Sequence, residues 1–341
     1  MSHLSAKAAR HAGLRYVTSN EPGLRRIRAG KGFKYLDANG RIIRNREILA
    51  RIRRLVIPPA WQNVWISNRE DAHLQATGVD ARGRKQYRYH ADYRAVRDAV
   101  KFDKLLNFGK ALPRIHAVVE SDLRRKGLEK RKLIAAVVRL LKATSIRIGN
   151  DEYAKANQSF GLTTMRNRHV EILGEHIHFR FRGKSKVDHD ITLCDRRLAM
   201  IIKKCRCIPG SELFQYKDSE GNIHALDSGD VNEYLLATTG ENITAKDFRT
   251  WNGSCLAITS LIGMNEEEGT LKQRVAKAVQ QVAEELGNKP ATCRKFYIHP
   301  LVLSEYENGR LASLYQKAVS QAGGRTKAEE KLLLRLLEKA S

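Results

Sequence analysis

Cysteine is scarce in this chain. Cys194, Cys205, Cys207, Cys255 and Cys293 are five in 341 residues, an odd number with no CxxC pair. That pattern excludes both a disulfide framework and a zinc ribbon. Eleven histidines form no HExxH or other ligand spacing, and His176 and His178 alternate as on one solvated strand face rather than as a metal pair. The expectation is a reducing compartment, no structural metal and no cofactor. No apolar run approaches a membrane span, and the start, Met1-Ser2-His3-Leu4-Ser5-Ala6-Lys7, lacks the apolar core of a signal peptide. A soluble, cytoplasmic protein is expected. No internal repeat is visible.

Acidic charge is also short. Against 62 Lys and Arg stand 37 Asp and Glu, a net charge of +25. An excess of that size calls for a polyanionic partner, nucleic acid first. Residues 1–90 hold 19 of the bases and only 6 acids, so the first quarter is a concentrated basic module. The 42% apolar content is that of a globular chain, and the length allows two domains.

Hydrophobic periodicity divides the chain near residue 90. Before it, 33–36 and 41–44 read as strand and strand about the turn Asp37-Ala38-Asn39-Gly40. Residues 45–54 read as a short helix stopped by Pro58-Pro59; 64–66, 74–78 and 85–89 read as strands. Residues 1–30 show no period. After His90, segments 92–100, 101–108, 114–125 and 131–143 have helical spacing, the last with a broad apolar face. Period two returns at 168–193 as a small three-stranded sheet. Helices then run from Asp195 to the end, with loops at 206–226 and 263–269, a hinge at Gly323-Gly324, and a capping box of Thr326 and Glu329. The fold class is α+β: a β-rich domain over 1–90, then a mainly α-helical domain over 91–341.

One stretch organises the chemistry. The amphipathic helix carrying Leu271, Val275, Ala278, Val279, Val282 and Leu286 is ended by Gly287 as a left-handed cap, and Pro290 opens the next element. Tyr297 follows Arg294 and Lys295. Asn288 stands nine residues before it. Arg147 lies where an apolar helix gives way to Gly149, Lys184 lies at a hairpin tip, and Arg249 lies near a helix start. Singly, each suits a surface charge or a cap. In the strand Gln86-Tyr87-Arg88-Tyr89, alternation sets both tyrosines on one face, and Gln86 with Arg88 on the other. Gln and Arg carry donors for base edges; tyrosines suit sugar and phosphate.

Taken in order, these pieces resemble the type IB DNA topoisomerases, most of all the compact bacterial and poxvirus-like forms. The carriers are Lys85-Gln86-Tyr87-x-Tyr89, Ile146-Arg147-x-Gly149, Gly161-Leu162-Thr163-Thr164, and Asn167-x-His169-Val170-Glu171-Ile172. Gly183-Lys184-x-Lys186, Lys246-Asp247-x-Arg249-Thr250 and Arg294-Lys295-x-Tyr297 complete the set. The resemblance runs from about Leu14 to Tyr315. It implies a monomeric two-domain clamp on duplex DNA that relaxes supercoils of either sign without ATP or metal. Tyr297 becomes the nucleophile, joined to the 3′ phosphate. Arg147 and Arg249 become forked phosphate ligands, Lys184 the general acid, and Asn288 a hydrogen-bond donor. Asn288 departs from the nuclear and poxvirus enzymes, which have histidine there; an amide cannot carry a proton. Tyr153 matches a DNA-contacting tyrosine, and Lys246 adds charge or aids proton transfer. Gln86, Tyr87 and Tyr89 complete the expected DNA contacts. The alternatives are a tyrosine recombinase, which usually has a helical first domain and histidine at the place of Lys246, and a non-catalytic DNA-binding protein.

Overall fold

The structure, a computed structural model, describes residues 6, 9–30, 32–81, 83, 85–100, 102–265, 269–321 and 327–340. The chain divides into two compact units, Met1–Phe102 and Asp103–Ser341.

The first unit is built on five antiparallel strands: β1 (Gly23–Ala29), β2 (Gly32–Leu36), β3 (Gln62–Ser67), β4 (Leu74–Val79) and β5 (Lys85–Tyr89). Their order is β2-β1-β3-β4-β5. The helix Arg46–Arg54 starts where the Asn45 side chain accepts the N–H groups of Glu47 and Ile48. It packs Ile52 against Leu24, Val64, Ile66 and Ala76, one closed apolar cluster. β1 lies in the stretch where no period was legible. An arginine occupies one of its inward positions: Arg26 is buried, donates to the carbonyls of Ile57, Pro58 and Trp61, and lies over the Phe33 ring at 4.2 Å. Three carbonyls satisfy a charge that hydrophobic patterning scores as outward. Conversely, the strand expected over 41–44 is a single bridge, Leu36 to Ile42, and Ile42 is exposed. The helix Ala91–Val100 stays with this unit, its Tyr93 buried against Ala9 and Leu14.

In the second unit, one helix, Asp103–Leu123, replaces the two segments expected over 101–108 and 114–125. It runs through Pro113, which gives up the bond to the carbonyl four residues back and sets its ring against that carbonyl. That residue is Gly109, where an added Cβ would stand 2.6 Å from the Trp251 ring. The helix packs on Lys130–Thr144, whose Leu133, Ala135, Val137, Leu140 and Leu141 are wholly buried. A helix apolar nearly all round belongs at the centre of a bundle, and the helices Ser228–Thr239 and Ala245–Ile262 also pack on it. A small antiparallel sheet, β6 (Val170–Leu173), β7 (His176–Arg182) and β8 (Asp188–Cys194), stands in the order β6-β7-β8. The segment expected as a loop over 206–226 holds a short hairpin, β9 (Gln215–Lys217) and β10 (Ile223–Ala225); strands of three residues are too short to show a period. The expected hinge at Gly323-Gly324 and Thr326 of the capping box lie outside the described residues. The helix Ala328–Ala340 beyond them buries Leu332, Leu333, Leu336 and Leu337. Among the described residues, no helix is long and apolar enough to cross a membrane.

His169 carries a testable consequence. Its ring lies beside Phe160, and Nδ1 accepts the Arg166 N–H, a role that requires the unprotonated nitrogen. Burial, then Arg168 and Arg166, push its pKa down from 6.5 to about 4. The native ring therefore stays neutral where the unfolded one takes a proton. Stability is full above pH 6.5 and falls as pH drops from 6.5 to 4. His169→Asn keeps an acceptor but cannot be protonated. Thermal melts from pH 7 to 4 should show a shallower acid slope for this variant than for wild type.

Candidate active site

Four of the five catalytic candidates converge where three chain segments meet. The helix Lys130–Thr144 ends at Ser145, which takes the left-handed conformation at φ 55° and turns the chain sharply. Arg147 follows, half-buried. Its backbone is held by the Gly161-Leu162-Thr163-Thr164 segment: Leu162 donates to the Arg147 carbonyl at 2.9 Å and Thr163 to that of Ile148 at 2.7 Å. An added Cβ at Gly161 would lie 2.5 Å from the Arg147 carbonyl oxygen, so only glycine fits. The two sequence motifs are thus one structural device.

Arg249 comes from the first turns of the helix Ala245–Ile262, at whose start the Asp247 carboxylate accepts from the Thr244 N–H at 2.8 Å and from its hydroxyl at 2.9 Å. It is 3% exposed. Nη1 donates to the Ser145 carbonyl, and Nη2 to the Leu286 carbonyl at 2.7 Å. The guanidinium therefore clamps the turn before Arg147 to the turn before Asn288. Its face lies 5.2 Å from the Tyr297 ring centroid. Burial, then the nearby Arg147 cation, bring its pKa down to about 10, while the Tyr297 phenol opposes the shift. Arg147 is also pushed down by burial, with Tyr297 the first group pulling it back. Two desolvated cations that repel each other beside one phenol make a site short of negative charge.

Asn288 and Tyr297 come from the third segment. The helix Leu271–Glu285 ends, Gly287 takes φ 56°, and Pro290 opens the helix Pro290–Phe296, as the sequence indicated. Asn288 accepts from Arg147 Nη2 at 2.5 Å. Its amide nitrogen is buried beside the Cys293 thiol. Tyr297 closes the last helical turn, and its carbonyl accepts from Ser254 at 3.2 Å. Gly253 lets it approach, since a Cβ there would lie 2.8 Å from that carbonyl.

Lys184 sits exposed at the tip between β7 and β8, where Ser185 and Lys186 both have positive φ. Its ammonium lies 5.9 Å from the Tyr153 ring centroid. Lys246 is exposed on the first turn of its helix. In the other unit, Tyr87 is 48% exposed and stacks on Tyr89 with centroids 5.9 Å apart. Gln86 is tied to Asp80 at 2.9 Å. β5 is an edge strand of its sheet.

Two neighbours escaped the sequence reading. Cys293 is buried, its thiol pKa raised by burial and lowered by Arg249 and the Asn288 amide. His189 in β8 abuts Gly183 and Gly287. It lies in a run read only as an alternating strand, and alternation gives no partner across the fold.

A phenol beside two desolvated guanidiniums and a buried amide is chemistry suited to a phosphate, here in a helical unit that follows a basic five-stranded sheet. Residues 90–321 match the family model of the eukaryotic DNA topoisomerase I catalytic core, and residues 32–80 match that of the bacterial DNA topoisomerase IB N-terminal domain. The chain is 30% identical over 297 residues to a DNA topoisomerase 1B of Acanthamoeba polyphaga mimivirus, covering 84% of this chain and 88% of that one. A DNA topoisomerase 1B of vaccinia virus is 22% identical over 245 residues, 70% of this chain and 74% of the other. The chain belongs to the type IB DNA topoisomerases, and it is an α+β enzyme of that class.

Proposed function

We propose that this topoisomerase cuts and reseals one DNA strand through Tyr297, with Arg147, Lys184, Arg249 and Asn288 as its catalytic partners. The observation that carries the assignment is the pair of desolvated guanidiniums at one phenol: Arg249 lies 5.2 Å from the Tyr297 ring centroid, and Arg147, bonded to Asn288, stands beside it. A phosphate oxygen seated there would accept from both forks and from the Asn288 amide. In cleavage, the Tyr297 oxygen bonds to phosphorus and its proton passes to water. The bond from phosphorus to the 5′ oxygen breaks, and Lys184 protonates that oxygen. Arg147 and Arg249 hold the phosphoryl oxygens as their negative charge grows. Their desolvation strengthens that attraction. The tyrosyl ester keeps the phosphodiester bond energy, so the 5′ hydroxyl reseals the strand without ATP. The free end swivels between the two steps, which relaxes supercoils of either sign.

The domain roles follow the same reading. Residues 1–90 bind duplex DNA, with Gln86, Tyr87 and Tyr89 on the edge strand making contacts; residues 91–341 carry the chemistry, with Tyr153 and Lys246 as further contacts. The protein acts as a monomer on DNA in the cytoplasm. Incubation with supercoiled plasmid and EDTA, without ATP, should yield relaxed circles. Salt must be scanned, because many phosphate contacts make binding steeply salt-dependent. A plasmid that stays supercoiled across the range would sink the mechanism.

Asn288 gives a separate test. Asn288→Ala removes one donor to phosphate and should slow single-turnover cleavage by about 10²-fold. Asn288→Asp, isosteric but an acceptor only, should be slower still, since it adds negative charge beside the phosphate. If Asn288→Asp cleaves as fast as wild type, the amide does not donate to phosphate.

A further inference from the structure

One ring in the cluster has no part in this chemistry. His189 stands opposite Phe181 in the β7–β8 pair, and the two rings stack with centroids 4.8 Å apart and planes 11° apart. The imidazole meets a glycine from each of two catalytic segments. A Cβ built on Gly183 would lie 2.6 Å from Cδ2 and Nε2; one built on Gly287 would lie 2.4 Å from Cε1. Neither distance is tolerable. Gly183 opens the hairpin that carries Lys184, and its N–H closes that hairpin on the Val187 carbonyl at 2.7 Å. Gly287 precedes Asn288, and its carbonyl receives Arg147 Nη2 at 3.5 Å.

We propose that His189 is a positioning residue: its imidazole is the spacer between the base of the Lys184 hairpin and the turn before Asn288, and it fixes where the lysine stands relative to Tyr297. The proposal rests on Lys184 being the general acid. Lys184 is an exposed side chain at a tip whose next two residues have positive φ, so its aim depends on how the hairpin base is seated. A lysine reaching from a loose hairpin would keep its charge and lose its alignment, and proton transfer is sensitive to that alignment. The ring also suits its place electrically. Burial, then Arg147 and Arg249, push its pKa down to about 4, with Asp188 alone pulling upward, so it adds no third cation at neutral pH.

The test replaces the leaving oxygen. A duplex with sulfur in place of the bridging 5′ oxygen at the mapped cleavage site leaves as a thiolate, which needs no proton. His189→Ala should slow cleavage of the ordinary duplex by about 10- to 100-fold with DNA binding retained. The sulfur duplex should remove most of that loss, as it should for Lys184→Ala. If sulfur restores Lys184→Ala and leaves His189→Ala slow, His189 does not act through the lysine and the inference fails while the assignment of Lys184 stands. If sulfur restores neither, the general-acid reading of Lys184 fails and takes this inference with it.

Gly183→Ala supplies the same test should His189→Ala fold poorly. Gly183 has φ −92°, which alanine adopts freely, so its methyl acts by displacing the ring. Cleavage by Gly183→Ala should be slow, sulfur-rescued, and no slower when combined with His189→Ala. Fully additive losses in the double variant would overturn the spacer.

Discussion

Tyr297→Phe removes one oxygen atom and should remove catalysis. Plasmid relaxation should fall by more than about 10⁴-fold, because neither guanidinium nor the Asn288 amide can attack phosphorus in its place. No protein–DNA adduct should survive denaturation with detergent. DNA binding should persist within about threefold, since the phosphate contacts come from the basic residues. The fold should persist too: the phenol lies beside Arg147 and Arg249, but the ring beneath Arg249 is kept. Adduct formation by the Phe variant would remove Tyr297 from the mechanism; loss of the adduct together with binding would mean that the substitution had disturbed more than the nucleophile.

Arg249→Ala should have the second largest effect. The side chain joins the segments that carry Arg147 and Asn288, and it faces Tyr297, the proposed nucleophile. On the proposed mechanism its loss removes a transition-state cation, for about 10³-fold in single-turnover cleavage. Stability changes less, because two effects oppose each other. The carbonyls of Ser145 and Leu286 lose their donor, at roughly 1–3 kcal/mol each. Against this, the fold no longer buries a cation that repels Arg147. The net change should stay below about 3 kcal/mol, seen as a modest fall in melting temperature. Arg249→Lys should recover little activity, since a single ammonium cannot span both carbonyls and still face the phenol. Wild-type cleavage by the lysine variant would show that charge alone is needed, and that the fork is not.

Patterning over consecutive residues read well wherever polarity and position agree. The apolar stripe of Lys130–Thr144, the alternation of β7 and the break at Gly287-Pro290 all stand as read, because water sorts such side chains the same way in any fold. β1 was illegible because Arg26 fills an inward position that only carbonyls 31 to 35 residues away make tolerable. The two segments expected before and after Pro113 are one helix, Asp103–Leu123, whose Gly109 lies against the distant Trp251 ring. Local sequence carries no record of such distant partners.

The candidate site divides along the same line. Sequence by itself determined which side chains could carry the chemistry, since nucleophile, forked cations, amide and hairpin lysine are properties of residue type and order. Only the tertiary structure decided that Arg249 is a buried clamp, that Asn288 is held by Arg147, and that His189 stands between two glycines. Burial, long-range hydrogen bonds and close approach arise from groups far apart along the chain, and they exist only once the chain has closed on itself.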